Sequence, residues 1–113
     1  MVLADKSKVD DFIKEYIIIN SRIKIAKAKI IHAEYENNKF TVLKNKKILQ
    51  ELEQLKEIVE SNVKAEYLEK LEIFRVNSKE AIEMFNISRN NLFKLKKEIR
   101  EEFYKIIDIV EAK

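Results

Sequence analysis

The chain of 113 residues contains no glycine, no proline, no cysteine and no tryptophan. Glycine and proline are the usual makers of tight turns and sharp bends. Without them, two-residue β-hairpins, glycine-rich phosphate loops and abrupt corners are disfavoured. Without cysteine there is no disulfide, no thiolate nucleophile and no thiolate metal site. A single histidine, His32, is present. No apolar run exceeds four residues, as in Tyr16-Ile17-Ile18-Ile19, against the ~20 needed to span a bilayer. The first eleven residues hold three aspartates and lack the apolar core and small-residue cleavage site of a secretory signal. A cytoplasmic protein without a membrane partner is expected.

What remains is a helix-forming composition. Lys, Glu, Ile, Leu and Asn dominate, and with 46% hydrophobic residues the chain is too apolar to be disordered. An all-α fold follows. Phe12, Tyr16, Ile19, Ile23, Ala26, Ile30 and Ala33 recur at alternating steps of four and three, a heptad seam that predicts one helix over about 7–36. Ser7 and Asp10 suit its N-terminal cap. Asn37 and Asn38 provide the break, because asparagine tolerates left-handed geometry. A second seam, Ile48, Leu52, Leu55 and Val59, predicts a helix over about 41–60, and the two together read as a long helical hairpin. A strand hairpin is the rival, since "IIHAEY" and "FTVL" are β-prone. After "ESN" at 60–62, a shorter helix over 63–75 is expected from Tyr67, Leu68, Leu71 and Phe74.

The segment that follows, "NSKEAIEMFNISRNNLFKLKKEI" from Asn77 to Ile99, is built differently. Asn77 or Ser78 caps a helix that reaches only Phe85. Asn86 occupies the turn, and Ser88 caps a last helix carrying Leu92, Leu95, Ile99, Phe103, Ile106 and Val110. Ala81, Phe85, Ile87, Leu92 and Leu95 fall where two helices joined by a tight turn face each other. Residues 88–97 carry four basic side chains and no acid. A second basic stretch, 22–47, holds eight Lys or Arg against two Glu, while 48–61 holds one Lys against four Glu. Positive islands on a chain of net charge +3 suit faces that meet a polyanion.

The segment resembles the helix-turn-helix of sigma-factor region 4, in which a short capped helix and an "-IS-" turn lead into "SR" at the start of a basic recognition helix. It is also similar to late-gene transcription regulators of phages and prophages, of the RinA and ArpU kinds. The resemblance covers residues 63–100 and reaches the first sixty residues only through their helical architecture. Two positions depart from the pattern. Ile82 stands where a small residue is usual, implying a wider helix crossing, and Asn86 replaces the usual glycine. The resemblance implies DNA binding through Lys79, Ser88, Arg89, Asn90, Asn91, Phe93, Lys94 and Lys97. Arg can bond guanine, and Asn adenine, with paired hydrogen bonds, and Phe93 can meet a thymine methyl. Lysines, with Lys96 among them, suit phosphates, and Ser88 opens a helix N-terminus where a phosphate fits.

Nothing points to catalysis. His32 has Lys29 three residues before it, so no Glu-x-x-His pair exists, and no H-E-x-x-H motif occurs. Glu98, Glu101 and Glu102 interleave with Lys97, Arg100 and Lys105 at ion-pair spacing. Asn86-Ile87-Ser88 matches a glycosylation acceptor, which is coincidental without a secretory signal. The expectation is therefore a non-enzymatic, cofactor-free and metal-free regulator that binds double-stranded DNA. It divides into a hairpin part, 1–61, for oligomerisation or partner binding, and a DNA-binding part, 62–113. A homodimer is expected, through the Phe12–Ala33 row or the Ile99–Val110 row, unless these rows close a single core inside one chain. RNA polymerase is a further candidate partner. Two alternatives remain: a helical adaptor whose basic patches meet an acidic partner, and a phage DNA-packaging subunit of the small terminase kind.

Overall fold

The computed structural model describes the backbone of residues 6–111 and the side chains of residues 8–110. All regular structure among them is helical: α1 (Lys6–Ile17), α2 (Ile19–Tyr35), α3 (Lys39–Asn62), α4 (Ala65–Leu68), a 3-10 helix (Leu71–Phe74), α5 (Ser78–Phe85) and α6 (Arg89–Glu111). The all-α class is as expected, and the strand alternative at Asn37-Asn38 is not realised. The cap expected at Ser7 lies outside the described side chains. No helix of the described residues is long and apolar enough to cross a membrane.

The single helix expected over 7–36 is interrupted at Ile18, whose backbone sits at φ −96°, ψ 10°. Three consecutive β-branched isoleucines, 17–19, crowd the preceding turn of a helix and weaken it there. The interruption changes which face is buried. α1 buries Val9 and Ile13, whereas α2 buries Ile19, Ile23, Ala26, Ile30 and Ala33. The six-residue step from Ile13 to Ile19 is a rotation of about 240° at 100° per residue, so the two buried stripes do not continue one another. Phe12 and Tyr16, expected in the seam, are half-buried instead. Their rings meet Phe103 with centroids 6.0 and 6.3 Å away. Partial burial, with Glu60 nearby, raises the Tyr16 pKa above its ordinary value.

Two further boundaries move. α3 begins at Lys39 and runs through Asn62, past the break expected at 60–62. The single helix expected over 63–75 is split into α4 and the 3-10 helix, with turns at Glu69 and Lys70. The tighter turn brings Leu71, Ile73 and Phe74 into the interior together.

The chain forms two compact units: one of residues up to Ile17 together with Val59 onward, the other of Ile18–Ile58. These limits differ from the division expected at 61/62, because α1 packs on α6 and on the 3-10 helix. In the first unit, α5 also packs on α6 and on the 3-10 helix. Val9, Ile13, Ile73, Leu92, Ile99, Phe103 and Ile106 are wholly inaccessible to solvent. One ion pair ties the two ends of this unit together. The Arg100 guanidinium donates to both carboxylate oxygens of Asp10, at 2.7 and 3.0 Å, with the two side chains only 16% and 25% exposed. Arg100 also lies over the Phe74 ring, 5.4 Å from its centroid, and Lys96 lies 5.9 Å from the same ring.

In the second unit, Asn37 takes φ 57°, and Asn38 N–H donates to the Ala33 carbonyl at 2.8 Å. Asn38 Oδ1 then accepts from Thr41 N–H at 3.1 Å, capping α3. The one buried polar side chain described is Asn45, seven residues before buried Leu52. Its amide donates to the Thr41 carbonyl at 2.8 Å, so no polar group is stranded.

Replacing Arg100 by Gln removes the paired donors and is expected to cost about 1–3 kcal/mol in urea unfolding. Asp10→Asn should cost a similar amount. The double variant should cost clearly less than the sum, because the two changes break the same contact. Strict additivity would mean that the ion pair does not couple α1 to α6.

Candidate nucleic-acid interface

α5 starts at a reciprocal cap. Asn77 Oδ1 accepts from Glu80 N–H at 2.8 Å, and Asn77 Nδ2 donates to Glu80 Oε1 at 2.8 Å. The helix stops after two turns because Asn86 enters the left-handed region at φ 51°, ψ 50°. There the Ile82 carbonyl accepts from the N–H groups of both Asn86 and Ile87, which closes the helix C-terminus. Two residues later Ser88 Oγ accepts from Asn91 N–H at 3.1 Å and opens α6. Of the two residues expected to cap α5 it is Asn77 that does so, and α6 is capped by Ser88 as expected.

The five positions expected to face inward are not equally enclosed. Ala81 and Leu92 are fully buried, while Phe85, Ile87 and Leu95 are half-buried. Ile82 is half-buried as well. The small side chain at the contact of α5 with α6 and the 3-10 helix is Ala81.

All eight expected site residues, Lys79, Ser88, Arg89, Asn90, Asn91, Phe93, Lys94 and Lys97, are exposed. Seven of them lie at the start of α6 or on its first turns. At about 100° per residue, Asn90, Phe93, Lys94 and Lys97 form one stripe opposite buried Leu92, Ile99 and Phe103. Arg89 and Asn91 flank that stripe on either side. Phe93 is 55% exposed. Lys79 is apart from the others, on the first turn of α5.

Two residues of the basic stretch and its border are drawn into the fold. Lys96, expected to join the phosphate-binding lysines, is half-buried beside Phe74. Glu98, the first acid after the basic run, accepts from the Tyr67 hydroxyl at 3.5 Å. Desolvation and the carboxylates of Glu98, Glu66 and Glu102 raise the Tyr67 pKa above its ordinary value. The stripe of Asn90, Phe93, Lys94 and Lys97 is thus free of acid until Glu101. Among the described residues, no three His, Cys, Asp or Glu side chains come together as a metal site. His32 is exposed and pairs with Glu36 at 3.2 Å along the same helix turn.

One exposed set was not singled out by sequence reasoning: Ile31, Tyr35, Phe40 and Leu43, on both sides of the Asn37-Asn38 turn. The signal was present, since these residues fall off the seams of Ala26–Ala33 and Ile48–Val59. Comparison of the chain with protein-family models, curated proteins and solved structures finds no significant match.

The turn geometry gives a direct test. Asn86→Gly should keep or raise stability, because glycine enters the left-handed region without strain. Asn86→Ala should lower it by about 1–2 kcal/mol. Equal stability of the two variants in urea would show that residue 86 is not held left-handed in solution.

Proposed function

We propose that this chain is a sequence-specific DNA-binding transcription regulator of the phage or prophage late-gene kind. In this reading α5, Asn86 and α6 act as a helix-turn-helix, and α6 enters the major groove of double-stranded DNA. The observation that supports it most is the two-sidedness of α6. Leu92, Ile99 and Phe103 are inaccessible, while Asn90, Phe93, Lys94 and Lys97 lie exposed on the opposite side. A helix that only closed a core would not need amides, a ring and lysines gathered there.

The roles follow from the chemistry. Arg89 and Asn90, with Asn91 beside them, carry the paired donors and acceptors that distinguish base edges. Phe93 offers an apolar surface to a thymine methyl. Lys94 and Lys97, with Lys79 on α5, neutralise phosphates, and Ser88 sets the N-terminal N–H groups of α6 toward the backbone. No covalent chemistry, cofactor or metal enters this reading. Lys96 has no part in it, because it belongs with Phe74.

A single recognition helix reads one half-site, so a homodimer belongs to the proposal. Neither apolar row considered for that role is exposed. Ile99, Phe103 and Ile106 are inaccessible within the chain, and Ile19, Ile23, Ala26, Ile30 and Ala33 are buried. Self-association therefore has to use another surface. The stretch Ile18–Ile58, read as a helical hairpin, is the part left for partner contacts, with RNA polymerase among the candidates.

Selection of bound sites from a random duplex library, with wild type beside Arg89→Ala/Asn90→Ala, tests the proposal. Wild type should enrich a defined motif, and the double variant should relax or lose it. With wild-type protein, log K should fall by ~0.9 per phosphate neutralised for each tenfold rise in salt. Lys94→Ala or Lys97→Ala should each lower that slope by about 1 without changing the motif. Folded protein that enriches no motif would leave a helical adaptor as the better description.

A further inference from the structure

α2 carries two seams at heptad spacing. Ile19, Ile23, Ala26, Ile30 and Ala33 form the buried one. Ser21, Ile25, Ala28, His32 and Tyr35 repeat the same steps of four and three, displaced by two residues. Two residues turn a helix by about 200°, so the second seam runs along the far side of α2. All five of its residues are exposed, Ile25 by 54% and Tyr35 by 88%. Ile31, 70% exposed, borders it. Ile25, Ala28, Lys29, His32 and Glu36 line one shallow groove beside the start of α3, which places that part of the seam on a single surface. Isoleucine, alanine and tyrosine at this spacing suit a helix that pairs with another helix.

The charges on α2 are sorted along its length. Arg22, Lys24, Lys27 and Lys29 occupy the first part, and residues 20–29 hold no acid. Glu34 and Glu36 close the second part, and residues 30–36 hold no Lys or Arg. A partner helix must therefore be acidic where α2 is basic, and basic where α2 is acidic. α2 itself, run in the opposite direction, has that order.

We propose that two copies of this chain pair through the outer seams of α2, antiparallel, about a twofold axis near residue 30. That register sets Ile25 against Tyr35 of the second copy and Ala28 against its His32. Ile31 meets its own copy beside the axis. Arg22 falls next to Glu36 of the second copy, and the symmetry makes each such contact twice. Glu36 keeps His32 of its own chain at 3.2 Å, since a carboxylate accepts from several donors. Lys29 comes near its own copy, where its long stem lets the ammonium reach water. Parallel pairing would instead set the four basic residues against each other. Duplex DNA or an acidic peptide would suit the first part of α2 but meet Glu34 and Glu36 at its end. With 17 residues, α2 is about 25 Å long, so the paired surface is small and the dimer exchanges with monomer.

The pairing stands on α2 alone and is measured without DNA. Its failure and that of the DNA-binding proposal are therefore distinguishable.

Sedimentation equilibrium of the full chain over a range of concentrations tests it. Wild type should pass from monomer to dimer and no further. Ile25→Ser/Tyr35→Ser should weaken the dimer at least about tenfold. Arg22→Glu alone, or Glu36→Arg alone, should weaken it by about tenfold, because each turns two attractive contacts into repulsive ones. Mixing those two single variants, or combining both changes in one chain, should restore the dimer. These positions are exposed, so helicity and urea unfolding should not fall in any variant, which separates lost pairing from lost folding. A monomer at every concentration would overturn the inference. So would a dimer that Ile25→Ser/Tyr35→Ser leaves intact, or one that neither charge reversal weakens.

Discussion

Many helices close their C-termini through a residue in the left-handed region, and this chain has no glycine to put there. Asparagine takes the position twice, at Asn37 with φ 57° and at Asn86 with φ 51°. A short amide side chain carries a smaller penalty there than a branched or bulky one. Asparagine also supplies caps: Asn38 holds the first turn of α3, and Asn77 holds the first turn of α5. Everything proposed for the molecule depends on these reversals. Asn86 sets the start of α6, and with it which residues of "SRNNLFKLKK" are exposed. Asn37 sets the ends of α2 and α3, and with them the exposed side chains beside the turn.

The second organising feature is the pairing of the chain's early and late segments. α1 and α6 are far apart in sequence, yet Arg100 binds Asp10 with two hydrogen bonds, and the Phe103 ring lies beside those of Phe12 and Tyr16. Partly buried, charge-assisted and two-pronged, the ion pair belongs to the kind that adds geometric specificity as well as energy. It also fixes the rotation of α6. Once Arg100, Ile99 and Phe103 face α1 and the 3-10 helix, Asn90, Phe93, Lys94 and Lys97 face away. The exposed surface is thus a consequence of the core, since a helix turns all its side chains together.

Much of this was legible locally. The seam of Ile19, Ile23, Ala26, Ile30 and Ala33 is buried as its spacing required, and the caps at Asn77 and Ser88 are where the sequence signals put them. Capping depends on side chains within three residues, so a linear reading suffices. What failed was non-local. Phe12, Tyr16 and Ile19 continued a heptad pattern, but Val9 and Ile13 are the buried residues of α1, because α1 packs on α6 and on the 3-10 helix. Lys96 and Glu98 looked like part of a surface charge pattern until Phe74 and Tyr67 came alongside. Asn45 looked like any polar residue of a lysine-rich helix, although it is buried and bonded to Thr41.

By itself, then, the sequence determined the helical class, the positions of both asparagine reversals, the caps and the acid-free character of 88–97. Each depends on neighbours a few residues away, through backbone sterics and helical periodicity. Only the tertiary structure decided that the chain breaks at Ile18, that α1 joins the C-terminal unit, and that both candidate apolar rows are already covered. It alone left Ile31, Tyr35, Phe40 and Leu43 without cover. Burial is settled by which faces meet, and two residues ninety positions apart, such as Asp10 and Arg100, give no local sign that they will.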